Sequence, residues 1–175
     1  MRVLVVYASR YGATRGIAER ITGALNERGH QAAMVAAGNA GSVGDYDAFV
    51  VGSAVFIGRW MKEASEFVRR NSAALADKPV WLFSSGPIGQ TTDEEKALEA
   101  SVPKDIAELE PLVHPRGHRV FFGAFDHTRL DLGHKLVFAM PAMKRLMVDG
   151  DYRDWNAIDA WADEISNALA PVGVI

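Results

Sequence analysis

The stretch Val3–Ile21, VLVVYASRYGATRGIAERI, decides the fold. Its first residues, Val3–Tyr7, form an almost unbroken apolar run rich in β-branched side chains, which is typical of a strand buried on both faces of a parallel sheet. A polar turn over Ala8–Ala13 follows, and Thr14–Arg28 then repeats apolar residues at helical spacing until Gly29 ends the pattern. The stretch therefore predicts a strand, a loop and a helix, which together begin a βαβ unit.

The same alternation continues along the rest of the chain. Further apolar runs predict strands at Ala32–Ala37, Ala48–Ser53, Pro79–Ser84 and Arg119–Phe125. Helical spacing recurs over about 59–71 and over Trp155–Leu169, where Asp154 is the expected N-cap. Strands that alternate with helices form right-handed crossovers, so the sequence predicts an α/β fold with five parallel strands covered by helices on both faces. The connection 126–154 is much longer than usual and is interpreted as an insertion before the last helix.

The composition is that of one ordinary globular domain, which we place at residues 1–170 with a tail at 171–175. Of the 175 residues, 49% are hydrophobic, which is enough for a single core. The net charge of -3 produces no strong field, so nucleic acid is not an expected partner.

The cysteine and histidine content of the sequence argues against several kinds of metal, redox and nucleophilic site. The chain has no cysteine, which excludes disulfides, iron–sulfur clusters, thiolate zinc sites and thiol nucleophiles. The histidines do not follow the spacing of metal ligands, so no metal site is predicted. No apolar run approaches the roughly 18 residues of a membrane span, and the first residues lack a signal-peptide core. We therefore expect a cytoplasmic protein.

The loop after the first strand is the strongest candidate for a binding site. Ligands of open parallel sheets bind beyond the carboxyl ends of the strands. Here Ser9 and Thr14 offer hydroxyl groups beside a helix N-terminus, and Gly12 permits close approach of a phosphate to the backbone. The loop has neither a Gly-Lys-Ser/Thr ending nor a G-x-G-x-x-G pattern, so a monophosphate is favoured over a nucleoside triphosphate or a dinucleotide. The alternative is an ordinary capped helix start.

Two further loops, Ala54–Gly58 and Ser84–Gln90, offer surfaces for a flat ring. Both combine glycine or proline with small or apolar side chains, and a flat heterocycle needs such a face with backbone donors at its polar edge. Val55, Phe56, Ile57 and Trp60 are candidates for one face, and Gly86, Pro87 and Ile88 are candidates for the edge or the other side. The alternative is that Phe56, Ile57 and Trp60 belong to the core.

These segments resemble a known family. The phosphate loop SRYGAT, together with YDAFVVGSAVFIGRW, VWLFSSGPIG, RVFFGAF and GDYRDWNAIDAWADEI, is similar to successive segments of the flavodoxin-like branch that includes menaquinone-dependent protoporphyrinogen IX dehydrogenase. The resemblance extends to about Ala168 and implies a three-layer flavodoxin-like fold with sheet order 2-1-3-4-5 and FMN as cofactor. It places the FMN phosphate on Ser9, Arg10, Tyr11, Gly12, Ala13 and Thr14. It places the isoalloxazine ring on Ala54, Val55, Phe56, Ile57 and Gly58, and on Ser85, Gly86, Pro87, Ile88 and Gly89.

The resemblance implies an FMN-dependent oxidoreductase that transfers a hydride or electrons at flavin N5, with a porphyrinogen-type substrate and a quinone as electron acceptor. No side chain is then required as a catalytic acid, although Asp126 and His127 follow the fifth strand and are within reach of a substrate. The modest net charge and the absence of an aromatic residue from the third loop favour an enzyme. The alternatives are a non-enzymatic electron carrier between redox partner proteins and a domain that binds another planar ligand.

The insertion carries an apolar stripe with basic neighbours. Its members are Leu132, Leu136, Ala139, Met140, Met143, Leu146 and Met147, near Arg129, Lys135, Lys144 and Arg145. Such a stripe suits peripheral contact with a membrane through 126–154 or the binding of porphyrin propionates. The alternatives are packing on the protein's own sheet and packing on a second subunit in a homodimer. Pro141 would kink a helix at this place.

Overall fold

The computed structural model describes residues 1–86, 93–140 and 148–170. The strands are β1 Arg2–Ala8, β2 Gln31–Ala36, β3 Ala48–Phe56, β4 Arg59–Trp60, β5 Val80–Ser85, β6 Gly117–Phe121, β7 Ala124–Phe125 and β8 Gly150–Asp151. The α-helices are α1 Ala13–Glu27, α2 Lys62–Arg70, α3 Ser72–Ala76, α4 Glu94–Ala100, α5 Lys104–Val113, α6 Leu132–Phe138 and α7 Trp155–Leu169.

The main sheet has the order β2-β1-β3-β5-β6, and these strands are all parallel. Counted along the chain, the five parallel strands have the order 2-1-3-4-5, which confirms the predicted fold. The strand order reverses between β1 and β3, where Val3 pairs with Ala48 and Ala8 pairs with Ser53. The carboxyl ends of β1, β3 and β5 therefore lie side by side at the switch point of the sheet, where ligands of doubly wound folds bind.

Helices cover both faces of this sheet. Alternate residues of β1 point to opposite sides, so that Val3 and Val5 pack with α1 and α7, whereas Leu4 and Val6 pack with α2 and α5. Each fully buried side chain of this size contributes roughly 1.5–3 kcal/mol. In β3, Gly52 is required by packing, because a Cβ there would lie 2.0 Å from the ring of Phe83.

The region after β3 differs from the prediction. β3 continues to Phe56 and pairs with β4 in an antiparallel hairpin, in which Val55 pairs with Trp60 and Phe56 with Arg59. The helix predicted over about 59–71 begins at Lys62. The prediction was wrong here because Trp60 and Met61 continue the apolar spacing of α2 and hide the turn.

The end of the sheet also differs from the prediction. The predicted strand Arg119–Phe125 is divided into β6 and the short β7, and β7 pairs with β8 on the far side of the insertion. The His127 backbone N–H donates to Asp149 Oδ1 at 2.8 Å, and the His127 ring forms a second hydrogen bond to the same carboxylate. These contacts hold the two ends of the insertion together. The last helix has the predicted bounds and the predicted cap, since Asp154 Oδ1 accepts from the Ala157 N–H at 3.0 Å.

Candidate functional site

A cleft of about 700 Å³ lies at the carboxyl ends of β1, β3 and β5. Its lining is largely apolar and contains no acidic side chain among the residues that the structure describes. The lining residues are Ser9, Arg10, Tyr11, Ala13, Thr14, Ala54, Val55, Phe56, Ile57, Gly58, Ser85, Gly86, Ala100, Ser101, Gly123, Ala124, Phe125, Leu130 and His134.

One wall of the cleft is the loop before α1. Gly12 is the N-cap of α1 and has φ +95°, a left-handed conformation that glycine adopts without strain. Its backbone N–H donates to Ser9 Oγ at 3.1 Å, and the side chain of Thr14 is buried in the first turn of the helix. The first turn has no acidic residue, so the positive end of the helix dipole stays available for an anion.

Two arginines from the insertion region hold this loop. Arg129 Nη1 donates to the Tyr11 carbonyl, and Arg153 Nη1 donates to the Ala13 carbonyl, both at 3.2 Å. Arg153 also pairs with Asp151. Arg129 likewise pairs with Asp126, so a carboxylate balances each guanidinium charge. The phosphate loop is thereby tied to both ends of the insertion.

The opposite wall is the β3–β4 hairpin. Ile57 and Gly58 form its two-residue turn with φ +51° and +69°, the pattern of a type I′ turn. Ile57 is 92% exposed and projects from the tip. The base is fixed by the buried carboxylate of Asp105, which accepts from the Trp60 N–H at 2.9 Å, and by Ser53 Oγ, which accepts from the Met61 N–H at 2.9 Å.

A chain of hydrogen bonds runs beneath the hairpin. Trp60 Nε1 donates to Ser84 Oγ at 2.8 Å. Ser84 Oγ in turn lies 2.8 Å from His118 Nε2. Because an indole N–H can only donate, Ser84 Oγ accepts from Trp60, and a second hydrogen bond joins the same hydroxyl to a neutral His118 ring. Burial lowers the pKa of His118 to about 4, which is consistent with that neutral ring.

The third side of the cleft is covered by α6 of the insertion. His134 Nδ1 lies 2.7 Å from Asp131 Oδ1 and 3.0 Å from the Tyr11 hydroxyl, and the His134 ring meets the ring of Phe56 edge to face at 5.2 Å. Arg10 Nη2 also pairs with Asp131 at 2.9 Å. Hydrogen bonds from the backbone N–H and then the ring of His134 lower the pKa of Asp131 to about 2, so this carboxylate is ionised. Burial raises the pKa of Tyr11, whose hydroxyl stays protonated.

The structure brings most of the predicted binding residues to one place. Ser9–Tyr11, Ala13, Thr14, Ala54–Gly58, Ser85 and Gly86 line the cleft, and Gly12 lies at a smaller adjoining depression. Pro87, Ile88 and Gly89 lie outside the described residues. Trp60 is not part of the cleft wall, because its side chain is buried in the core beneath the hairpin. That the lining residues hold FMN stays a prediction.

Several lining residues were not predicted, above all Leu130 and His134 of the insertion. The D-x-x-H spacing of Asp131 and His134 is the local signal, since it places both side chains at the start of one helix. Asp126 and His127 were predicted to be within reach of a substrate, but neither of them lines the cleft.

Asp126, His127 and Asp149 offer ligand atoms within 4.8 Å of one another. All three are exposed, and Asp149 already accepts two hydrogen bonds from His127. The spacing of the histidines along the sequence could not indicate this group, because Asp149 lies 22 residues after His127, at the far end of the insertion. The absence of a metal site stays a prediction.

The exposed face of the insertion is apolar. Leu132, Leu136 and Met140 are 83%, 76% and 57% exposed, so in the described part of the chain these side chains do not pack on the protein's own sheet. Met143, Leu146, Met147 and Pro141 lie outside the described residues. In the part of the chain that the structure covers, no helix is long and apolar enough to cross a bilayer.

A parallel sheet with a left-handed glycine at the start of α1 and an apolar cleft at its switch point defines a mononucleotide-binding protein of the doubly wound α/β class. A model of the flavodoxin domain matches residues 4–151. The chain therefore belongs to the flavodoxin domain family. No curated protein matches the sequence.

Solved structures share the fold at low sequence identity. The C101S mutant of a flavodoxin from Pseudomonas aeruginosa aligns at a TM-score of 0.61 and 14% identity over 98% of this chain and 100% of that one. Oxidised flavodoxin 2 from Bacillus cereus aligns at 0.60 and 18% identity over 97% of this chain and 100% of that one. Rubredoxin oxygen:oxidoreductase from Desulfovibrio gigas aligns at 0.63 and 13% identity over 96% of this chain but only 36% of that protein.

Membership of the flavodoxin family identifies the cofactor as FMN. The residues present fit that group. Gly12 leaves the backbone bare at the helix N-terminus, where a Cβ would lie 3.1 Å from Arg129 Nη1. The buried hydroxyl of Thr14 lies beside it, and the apolar walls at Val55 and Leu130 suit a flat ring.

Proposed function

We propose that this protein is an FMN-dependent oxidoreductase that oxidises a porphyrinogen-type substrate and reduces a quinone. The observation that carries the proposal is the cleft of about 700 Å³ without acidic lining among the described residues. This volume lies in the upper half of the roughly 300–1,000 Å³ range of ligand pockets, which favours a site for the flavin ring and a second flat molecule together.

Each wall of the cleft has a role in this proposal. The loop from Ser9 to Thr14 would hold the phosphate, and Val55 and Phe56 would lie against the ring system. When bound, FMN supplies transfer of one or two electrons at its ring. Leu130 and His134 border the space beside it and shield that space from water on the side of the insertion.

A non-enzymatic electron carrier is the second candidate. The flavodoxins from Pseudomonas aeruginosa and Bacillus cereus align over 98% and 97% of this chain. The exposed tip at Ile57 also gives a partner protein access to the edge of the cleft. Against this candidate stands the cleft lining, because electron carriers are steered to basic partners by acidic rims.

The insertion suits delivery of an apolar quinone from a membrane surface. Leu132, Leu136 and Met140 form an exposed apolar face, and Lys135 precedes Leu136 on the same helix. Apolar side chains with basic neighbours favour the interface of a membrane with anionic lipids. We propose peripheral contact through this face.

The experiment that separates the two candidates is an anaerobic redox titration of the FMN-loaded protein. We expect protoporphyrinogen to reduce the bound flavin, and we expect one equivalent of a water-soluble quinone to reoxidise it. The reduced protein is also mixed with a one-electron acceptor protein, cytochrome c. Rapid reoxidation by cytochrome c without any reaction with quinones would support the carrier and overturn the proposed enzyme.

A further inference from the structure

His134 is held at the cleft by contacts on several sides. Asp131 accepts from its backbone N–H at 3.0 Å and contacts its ring through Nδ1 at 2.7 Å. The Tyr11 hydroxyl approaches the same nitrogen from the phosphate loop, and the Phe56 ring packs against the imidazole from the hairpin. The His134 side chain is 29% exposed, so its orientation is fixed by protein contacts while it still lines the cleft.

The hydrogen bonds of this cluster define the state of the ring. Asp131 is an ionised carboxylate and can only accept, so Nδ1 of His134 carries a hydrogen and donates to it. Among the residues that the structure describes, no partner is assigned to Nε2. Because His134 lines the cleft, we expect this second nitrogen to be the one that exchanges a proton with a ligand there.

We propose that His134 is a catalytic residue that transfers a proton between Nε2 and a quinone bound in the cleft, with Asp131 as its positioning residue. The inference rests on the proposed function and adds to it a named proton donor.

A quinone needs two electrons and two protons to become a hydroquinone. When bound, reduced FMN would supply both electrons and one proton, together equivalent to a hydride, and one quinone oxygen would accept them as its O–H bond forms. The second proton passes from Nε2 of the His134 imidazolium to the other oxygen, where an O–H bond forms as the N–H bond breaks. The imidazole is left neutral and regains a proton from water.

The charged and titratable groups around His134 favour this role. Asp131 lies just before α6, carries a negative charge and contacts the His134 ring at 2.7 Å. Arg10 and Tyr11 face the cluster from the phosphate loop, but the Arg10 charge is directed to Asp131 by their ion pair. Phe56, from the hairpin, adds no charge. An Asp–His pair of this kind is the usual arrangement for orienting a general acid or base.

The first test compares H134Q with the parent protein by stopped-flow reoxidation of the reduced, FMN-loaded form. We expect H134Q to react with a quinone about 10²-fold more slowly, within the range for loss of a general acid. Reoxidation by ferricyanide needs no proton, so it should be unchanged. The matched control is H114Q, which removes an exposed histidine outside the insertion that does not line the cleft and should leave both rates unchanged.

Further readouts separate proton transfer from a merely structural effect. Added imidazole should restore the quinone reaction of H134A, and the dependence of its rate on pH should be lost in H134Q. Fluorescence titration of the apo-proteins should give FMN affinities within about threefold of each other. Long-range ¹H–¹⁵N spectra of the apo-protein should show the neutral His134 ring with its hydrogen on Nδ1, and this preference should be lost in D131A.

The outcomes distinguish this inference from the proposed function. If the parent protein reduces quinones and H134Q does so at the same rate, His134 is not the donor, and the proposed function stands. If H134Q slows the ferricyanide reaction equally, the effect is structural and the inference fails. If the parent protein does not react with quinones at all, both the inference and the proposed enzyme are overturned.

Discussion

At the scale of single residues, Gly12 is the position whose backbone the phosphate loop depends on. Its φ of +95° costs an L-residue about 1–2 kcal/mol, and a Cβ would lie 3.1 Å from Arg129 Nη1. We expect G12A to lower the free energy of unfolding by about that amount and to weaken FMN binding, as measured by denaturant unfolding and by fluorescence titration.

The matched control is G23A in the same helix, where a Cβ meets no atom within 4 Å. Alanine is favoured over glycine in a helix by about 1 kcal/mol, so this variant should be more stable and should bind FMN normally. If FMN binding were unchanged in G12A, the phosphate site would have been placed wrongly.

Ile57 is the second residue with an unusual backbone. A β-branched residue with φ +51° is strained, whereas asparagine adopts this conformation readily in a type I′ turn. We expect I57N to stabilise the protein by about 1 kcal/mol, which corresponds to a rise in Tm of about 2–4 °C. I57V keeps the branched Cβ and should change Tm little. An equal rise in both variants would mean that exposure of the side chain, rather than backbone strain, limits stability.

At the scale of elements, the hydrogen bonds from Trp60 through Ser84 to His118 connect the hairpin to β5 and β6. The pKa of His118 is about 4 in the folded protein and about 6.5 when unfolded, so the unfolded chain binds a proton first as the pH falls. The contribution of His118 to stability is therefore complete above pH 6.5 and falls between pH 6.5 and 4.

The measurement is the free energy of unfolding at pH 7 and at pH 4.5 for the parent and for H118Q. The part of the pH dependence that belongs to His118 is at most about 3 kcal/mol and should disappear in the variant. The matched control is H114Q, which removes an exposed histidine and should keep the parent's pH dependence. Identical profiles for the parent and H118Q would show that the ring is protonated inside the fold.

The elements also show what the sequence could and could not predict. The strands β1, β3 and β5 were predictable because each is a continuous apolar run, and such a run by itself indicates a strand that is buried on both faces. The β3–β4 hairpin was not predictable, since its turn carries Ile57 in place of the usual asparagine or glycine and Trp60 continues the helical spacing of α2. β7 and β8 have two residues each, too few to carry a pattern.

For the candidate site, the loops of the sheet were predictable from topology, because parallel strands bring their carboxyl ends to one edge. The position of α6 was not, because it depends on contacts of Asp131 and His134 with residues more than a hundred positions earlier, at Arg10 and Tyr11. A local pattern holds no information about such pairs.

At the scale of the whole molecule, the cofactor site is built mainly on the main sheet, and the insertion covers one side of it. The phosphate loop and the hairpin continue directly from β1 and β3 of the main sheet, whereas His134 and the exposed face at Leu132 and Leu136 belong to the insertion. The ends of the insertion are joined by the β7–β8 pair and by the His127–Asp149 contact. The insertion can therefore be shortened without opening the sheet.

Replacing Asp131–Val148 with a short Gly-Ser linker tests this separation. The fold should persist, because Leu132, Leu136 and Met140 are exposed and their loss removes little buried area. FMN affinity should fall by less than about tenfold, since the main walls remain, and about 1.4 kcal/mol corresponds to that factor. The quinone reaction and binding to vesicles with anionic lipids should both be lost.

The matched control is V102S, which changes an exposed apolar residue outside the insertion and should retain vesicle binding and activity. Fluorescence titration, quinone reoxidation and vesicle sedimentation follow the three properties separately. If the shortened protein lost FMN binding and its native unfolding transition together, α6 would be a structural part of the cleft. Loss of the quinone reaction alone, with FMN and the fold retained, would assign the chemistry of the second substrate to the insertion.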